Sequence, residues 1–205
     1  MTRSGAGARP RILEAAWNLI VERGLAAASM AQVANAAGVS RQALYLHFGS
    51  RAGLLVAMAQ HRDATSPLFA RIRKVRAEAE PSELLAAYFD SWLDYLAEIF
   101  PVARLLSAAA VADSEAAVAW DDRMASLRAA ISRVMQDLAR NGLLARDWTP
   151  EAAAEWAWSQ THVDSWRHLV DECGWPPSQA KRQILAALRT MLLSQSATGA
   201  DRERA

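Results

Sequence analysis

Residues 29–55 read Ser-Met-Ala-Gln-Val-Ala-Asn-Ala-Ala-Gly-Val-Ser-Arg-Gln-Ala-Leu-Tyr-Leu-His-Phe-Gly-Ser-Arg-Ala-Gly-Leu-Leu. The stretch predicts two short helices, 30–37 and 41–48, and the start of a third at Arg51. Ser29, Ser40 and Ser50 are hydroxyl residues of the kind that cap helix N-termini. Gly38 tolerates the left-handed backbone that a tight inter-helix turn demands. Two short helices that cross closely need small side chains at the crossing, and Ala34 and Ala37 supply them. Val39 is an apolar plug behind the turn. Met30, Val33, Leu44 and Phe48 fall on the side that faces a preceding helix. That leaves Arg41, Gln42 and, less so, Ala43 at the free N-terminal end of the second short helix. In a helix-turn-helix this end reaches base edges in the DNA major groove.

The side-chain chemistry suits that place. Arg41 matches the O6/N7 edge of guanine, Gln42 the N6/N7 edge of adenine, and Ala43 a thymine methyl. Ser29, Ser40, Tyr45, His47 and Arg51 carry donors suited to phosphate oxygens. The helix that starts near Arg51 adds unpaired backbone N–H groups. The competing readings are core packing for Tyr45 and Phe48, a solvated charge for Arg41 and a histidine without a role for His47.

The combination Ala34, Ala37-Gly38-Val39-Ser40, Leu44-Tyr45, His47-Phe48, Ser50-Arg51 and Leu54-Leu55, following a capping Ser29, resembles the TetR (tetracycline repressor-like) family over about residues 10–60. The resemblance implies an all-α fold: a three-helix DNA-binding head and a C-terminal helical domain for effector binding and dimerisation. It implies phosphate contacts from Ser29, Tyr45, His47 and Arg51, base contacts near Arg41 and Gln42, and a role as repressor. The chain departs from the family pattern in places. Gln42-Ala43 replaces the common Gly-Thr, Arg51 stands where Lys is commonest, and Ala52-Gly53 replaces an acidic residue and its neighbour, a change expected to weaken the start of that helix. Ala31 offers no side chain that reaches DNA.

Working outward, helical composition continues to both ends of the 205 residues. Residues 1–9 read as a flexible arm, and a first helix runs from Pro10 to Arg23, with Pro10 in its first turn and Gly24 ending it. Later prolines and Asn141-Gly142 punctuate helices expected at 51–65, 67–79, 82–99, 102–112, 115–141, 150–172 and 177–195. The expected organisation is a head at 10–55, a body at 56–196 and a frayed tail at 197–205. Residues 1–62 hold seven basic and two acidic residues, a net of +5, and the remainder holds 16 basic and 20 acidic, a net of −4. A basic head on a mildly acidic body fits a protein whose head alone meets nucleic acid.

Seven of the eight Trp lie beyond residue 90. Large aromatics are first a core signal, but indoles also wall cavities for flat or hydrophobic ligands. With the family layout in view, the pocket candidates are Met58, Phe89, Trp92, Leu96, Leu106, Trp120, Met124, Trp156 and Gln160, with Gln160, His162 and Asp164 as polar anchors. Ile184, Leu185, Leu188, Met191 and Leu192 form an apolar stripe. With the small-residue face of Ala153, Ala157, Gln160 and Thr161, it is the expected homodimer interface, the alternative being that the stripe packs only within its own subunit. The basic cluster Arg71, Arg73, Lys74 and Arg76 reads as a solvated helix face or a contact for DNA flanks or anions. Lone Cys173 reads as a small buried or half-buried apolar residue, the alternative being a redox-sensing thiol. The sequence carries no phosphate loop, nucleophile elbow or paired-histidine motif. No catalytic residue, metal site or cofactor is expected. Nor is a membrane span or secretory signal, so a cytoplasmic location follows. The expected partners are double-stranded operator DNA, a small-molecule effector and a second copy. The alternatives are a DNA-binding regulator controlled by a protein partner and an all-helical enzyme.

Overall fold

In the computed structural model the described residues are 5–24 and 29–194, with side chains from residue 7 onward. The order is α1 (Gly5–Arg23), α2 (Met30–Ala37), α3 (Arg41–Phe48), α4 (Arg51–Thr65), α5 (Pro67–Glu78), α6 (Leu84–Ala110), α7 (Ser114–Arg140), α8 (Pro150–Gln160), α9 (Val163–Arg167), a π-turn (His168–Glu172) and α10 (Pro177–Leu192). Among the described residues the only β-type pairing is an isolated bridge between Leu144 and Leu193. The fold is all-α, with an N-terminal helix-turn-helix and a C-terminal helical domain.

The serine caps and glycine stops act as the sequence predicts. Ser40 and Ser50 accept hydrogen bonds from Ala43 N (3.1 Å) and Gly53 N (2.8 Å). α7 ends at Arg140, one residue before Asn141-Gly142, and Asn141 Nδ2 closes its last turn on the Asp137 carbonyl at 2.8 Å. Other boundaries differ. Residues 5–9 belong to α1 rather than to a flexible arm. Arg9 is held there by donating to the His47 carbonyl at 2.5 Å and by lying 4.7 Å over the Phe48 ring. Residues 1–4 and the tail at 197–205 lie outside the described residues.

The helices expected at 82–99 and 102–112 are one, with Pro101 inside it. An interior proline costs about 3 kcal/mol. Ile99, Phe100, Val102 and Ala103 are all buried around it, and their burial, at about 1.5–3 kcal/mol for a large side chain, offsets that cost. The helix expected at 150–172 is instead interrupted at Thr161. The Thr161 hydroxyl donates to the Ala157 carbonyl, and the next residue, His162, starts α9 by accepting from Asp164 N on Nδ1.

The chain divides into two compact units, Met1–Ser66 with Glu98–Asp122 and Pro67–Ala97 with Arg123–Ala205. The first contains the whole of α4, which the expected boundary at residue 55 cut in two. In this unit α1 packs against α2 and α4, and α3 packs between α2 and α4. Its core includes Ile12, Ala16, Ile20, Val33, Leu44 and Leu55. Arg62 explains why residues from 98 onward belong here. Its guanidinium lies 3.7 Å over the Trp17 ring and pairs with Glu14 (3.7 Å) and Glu98 (3.3 Å). The Ser66 hydroxyl also donates to Glu98, at 2.6 Å.

In the second unit α10 packs on α8 and on the π-turn. Ile131, Met135, Leu138, Ala153, Ala157 and Leu188 are among its buried residues. A charged cluster ties three helices together. Lys181 of α10 reaches Asp90 (2.7 Å) and Asp94 (2.6 Å) of α6, and Arg71 of α5 reaches Asp94 (2.6 Å) and Ser91 Oγ (3.0 Å). Arg71 is therefore not part of a purely solvated basic face, whereas Arg73, Lys74 and Arg76 are exposed. Cys173 is exposed, contrary to the expectation of a buried or half-buried apolar residue. No helix among the described residues is long and apolar enough to cross a membrane.

Candidate nucleic-acid interface

α2 and α3 are eight-residue helices joined through Gly38, whose φ of 65° and ψ of 35° are left-handed. A side chain at this φ would strain the backbone, so the turn depends on glycine here. α2 buries Met30, Val33 and Ala34, and α3 buries Leu44 and Phe48. Once those faces are buried, Arg41, Gln42, Tyr45 and Leu46 are left exposed, with Ala43 and His47 half-buried. Tyr45 keeps 44% of its surface, so it is not a core aromatic, whereas Phe48 is. Ser29 caps α2 reciprocally: Gln32 N donates to its Oγ at 3.3 Å, and that Oγ donates to Gln32 Oε1 at 2.5 Å. Ser29, Ser40 and Arg51 are all exposed. Arg41, the first residue of α3, therefore stands at the positive end of a capped helix.

Residues 12–58 match the family described as bacterial regulatory proteins, tetR family. The chain is 36% identical over 73 residues to the transcriptional regulator TtgR of Pseudomonas putida, covering 36% of this chain and 35% of the relative. It is 33% identical over 89 residues to the transcriptional activator FasR of Mycolicibacterium smegmatis, covering 43% and 40%. The matched stretch thus spans well under half of either relative. The fold as a whole is similar to that of a Saccharomonospora viridis protein described as a transcriptional regulator in complex with choline: TM-score 0.77, 18% identity, covering 93% of this chain and 100% of that one. The helix-turn-helix segment is thus similar to the TetR family.

In the head, Ala52-Gly53 stand in the first turn of α4 under a serine cap. α4 begins at Arg51 under the Ser50 cap. A Cβ on Gly53 would collide with the Phe48 carbonyl oxygen, so glycine lets the chain between α3 and α4 pass this close. Arg9, read in the sequence only as one of the head's charges, caps the C-terminal end of α3 through the His47 carbonyl.

The pocket candidates fall in both units of the chain. Met58, Leu106 and Trp120 lie in the first unit, and Phe89, Trp92, Leu96, Met124, Trp156 and Gln160 in the second. Met58, Phe89, Leu96 and Leu106 are buried. Trp92 Nε1 donates to the Thr161 carbonyl at 3.1 Å. Trp156 packs against Trp148 with centroids 5.7 Å apart, and Gln160 donates to Ser159 Oγ at 3.2 Å. Among the polar anchors, burial holds the His162 imidazole below its ordinary value, with Asp164 opposing. Trp158, absent from the candidates, has a buried Nε1 with no hydrogen-bond partner among the described residues. Its ring lies between Arg128 (4.8 Å) and His162 (4.8 Å). In the sequence it was marked only as one of the seven Trp beyond residue 90.

The expected dimer stripe is largely used inside the chain. Ile184, Leu188 and Leu192 of α10 are buried, as are Ala153, Ala157 and Thr161, and Leu185 is half-buried. Of the expected interface residues, Leu185 and Gln160 are partly open at the surface. Met191 alone of the named residues is exposed, at 48%, and it is joined on the outer surface of α10 by Ala186, Ala187 and Thr190. Among the described residues no group of His, Cys, Asp and Glu has the arrangement of a metal site.

Proposed function

We propose that the protein is a transcriptional regulator that binds a near-palindromic operator as a homodimer and is released from it by a small hydrophobic or aromatic effector. The observation that carries this reading is α3: Arg41 and Gln42 stand exposed at its capped N-terminus, and Leu44 and Phe48 anchor its opposite face. In this reading Arg41 and Gln42 read bases, with Ala43 beside them, and Ser29, Ser40, Tyr45, His47 and Arg51 hold phosphates. One eight-residue helix reads few base pairs, so two copies related by a two-fold axis are needed for a specific site. The outer residues Ala186, Ala187, Thr190 and Met191 of α10 are the face offered to the second copy.

Effector control is supported by the buried, unpartnered indole N–H of Trp158, since such a donor costs about 1–3 kcal/mol and an acceptor on a ligand would recover it. An effector that moves the dimer from 99% competent to 1% must favour the released form by about 5.5 kcal/mol. The proposed output is repression, in which an occupied operator blocks transcription until the effector arrives. Selection of bound duplexes from a random pool, followed by release with metabolite mixtures, tests the reading. Enrichment of a two-fold sequence that some fraction releases is expected, and the absence of any enriched duplex at low salt overturns it.

A further inference from the structure

Among the described residues of the head, the most exposed large apolar side chain is Leu46, at 82%. Isolated surface leucines are common and carry no message by themselves. What distinguishes Leu46 is its register. At about 100° per residue, position 46 lies ~160° from both Leu44 and Phe48, opposite the anchored face of α3. It also lies one turn beyond Gln42, on the same face, where residues four apart are neighbours. Half-buried Ala43 flanks that face, and exposed Arg41 stands at its leading end. The head around it has a net charge of +5 over residues 1–62, seven basic residues against two acidic. A polyanion is therefore the partner that this charge attracts.

Resting on the DNA-binding reading above, we propose that Leu46 is a specificity-determining residue that recognises the C5-methyl group of a thymine one turn along the groove from the bases read by Arg41 and Gln42. The side chain has no donor or acceptor, so it contributes nothing to phosphate or base-edge hydrogen bonding. The major groove offers it one apolar feature, and that feature is the thymine methyl. Leu46 reaches further from the helix axis than Ala43 and is more exposed, so it, rather than Ala43, makes the principal methyl contact. The rest of α3 then supplies polar readout at its first turn and apolar readout at its second.

The test uses the full chain and the duplex it enriches from a random pool. Each thymine of that duplex is replaced in turn by deoxyuridine, which removes the methyl group and leaves the Watson–Crick edge intact. Wild type should lose about fourfold in affinity at one thymine per half-site, the value of one buried methyl group. Leu46→Ala and Leu46→Asn should be insensitive to that replacement, and Leu46→Met should retain the sensitivity. Because Leu46 lies outside the core, all three variants should melt with wild type, which separates loss of recognition from loss of fold. An enriched duplex whose uracil substitutions are all silent overturns the proposal while leaving DNA binding intact. So does a penalty of equal size in Leu46→Ala, which assigns the methyl to another residue. Failure to enrich any duplex overturns the DNA-binding reading and this proposal with it.

Discussion

Gly53 gives a test whose sign is informative. In an ordinary helix interior Gly→Ala stabilises by about 1 kcal/mol. Here the added Cβ meets the Phe48 backbone oxygen, which cannot move aside as a flexible side chain does. Gly53→Ala is therefore expected to destabilise the head, by about 1–3 kcal/mol, read as a lower midpoint in urea unfolding; a raised midpoint would show that the loop relaxes freely. Arg9 is the companion case. Arg9→Ala removes the donor to the His47 carbonyl and the cation over Phe48, and should cost about 1–2 kcal/mol. Its effect on DNA affinity should be even across sequences, since Arg9 acts by holding α3. The serine caps and the turn glycine were legible in the sequence because their partners lie three or four residues away. Arg9 was not, because its partners at 47 and 48 are distant in sequence. Leu46 was passed over because the sequence reading placed the base contacts in the first turn of α3, and Leu46 lies in the second.

Among the elements, α4 and the second part of α6 are joined by Arg62. Arg62→Met keeps much of the side-chain volume but removes the charge facing Glu14 and Glu98 and the cation over Trp17. Both Arg62 and Glu98 are largely covered, so a loss of about 2–4 kcal/mol is expected, measured by thermal or urea unfolding; a change under about 0.5 kcal/mol would mean that the pairs carry no stability. The cluster in the second unit makes a pH-dependent prediction. Burial alone would raise Asp94, but hydrogen bonds from Lys181 and Arg71, with their charges, hold it below its ordinary value. Burial would lower Lys181, but Asp90 and Asp94 hold it above its ordinary value. The Asp94 contribution is complete above the unfolded carboxylate range near 4 and fades as pH falls through the lower folded value. The Lys181 contribution is complete below about 10.4 and fades as pH rises through the higher folded value. Lys181→Met should thus cost about 1–2 kcal/mol at neutral pH, with the gap to wild type narrowing under strongly acidic and strongly alkaline conditions. A gap constant from pH 3 to 7 would contradict this. Neither the continuity of α6 through Pro101 nor the break at Thr161 was legible, since local proline and helix propensities were overridden by burial in one case and by side-chain caps in the other.

For the whole molecule, the sequence makes the class and the head readable but not the outer face of the body. An apolar stripe such as Ile184, Leu188 and Leu192 looks the same whether it meets its own chain or another, and here it is buried within the chain. With the outer surface of α10 as the proposed dimer face, Ala187→Glu is expected to shift the solution mass from dimer to monomer and to weaken operator binding. A variant that stays dimeric would place the interface elsewhere. The central claim is that the tip of α3 reads bases while its surroundings hold phosphates. It is tested most directly by titrating wild type, Arg41→Ala and Arg51→Ala against the selected operator and its single-base variants at two salt concentrations. Arg41→Ala should lose preference at one base pair per half-site, at about 1–3 kcal/mol, and Arg51→Ala should weaken every duplex alike and lower the salt slope by about 1. An even loss from both variants across all duplexes would contradict the account.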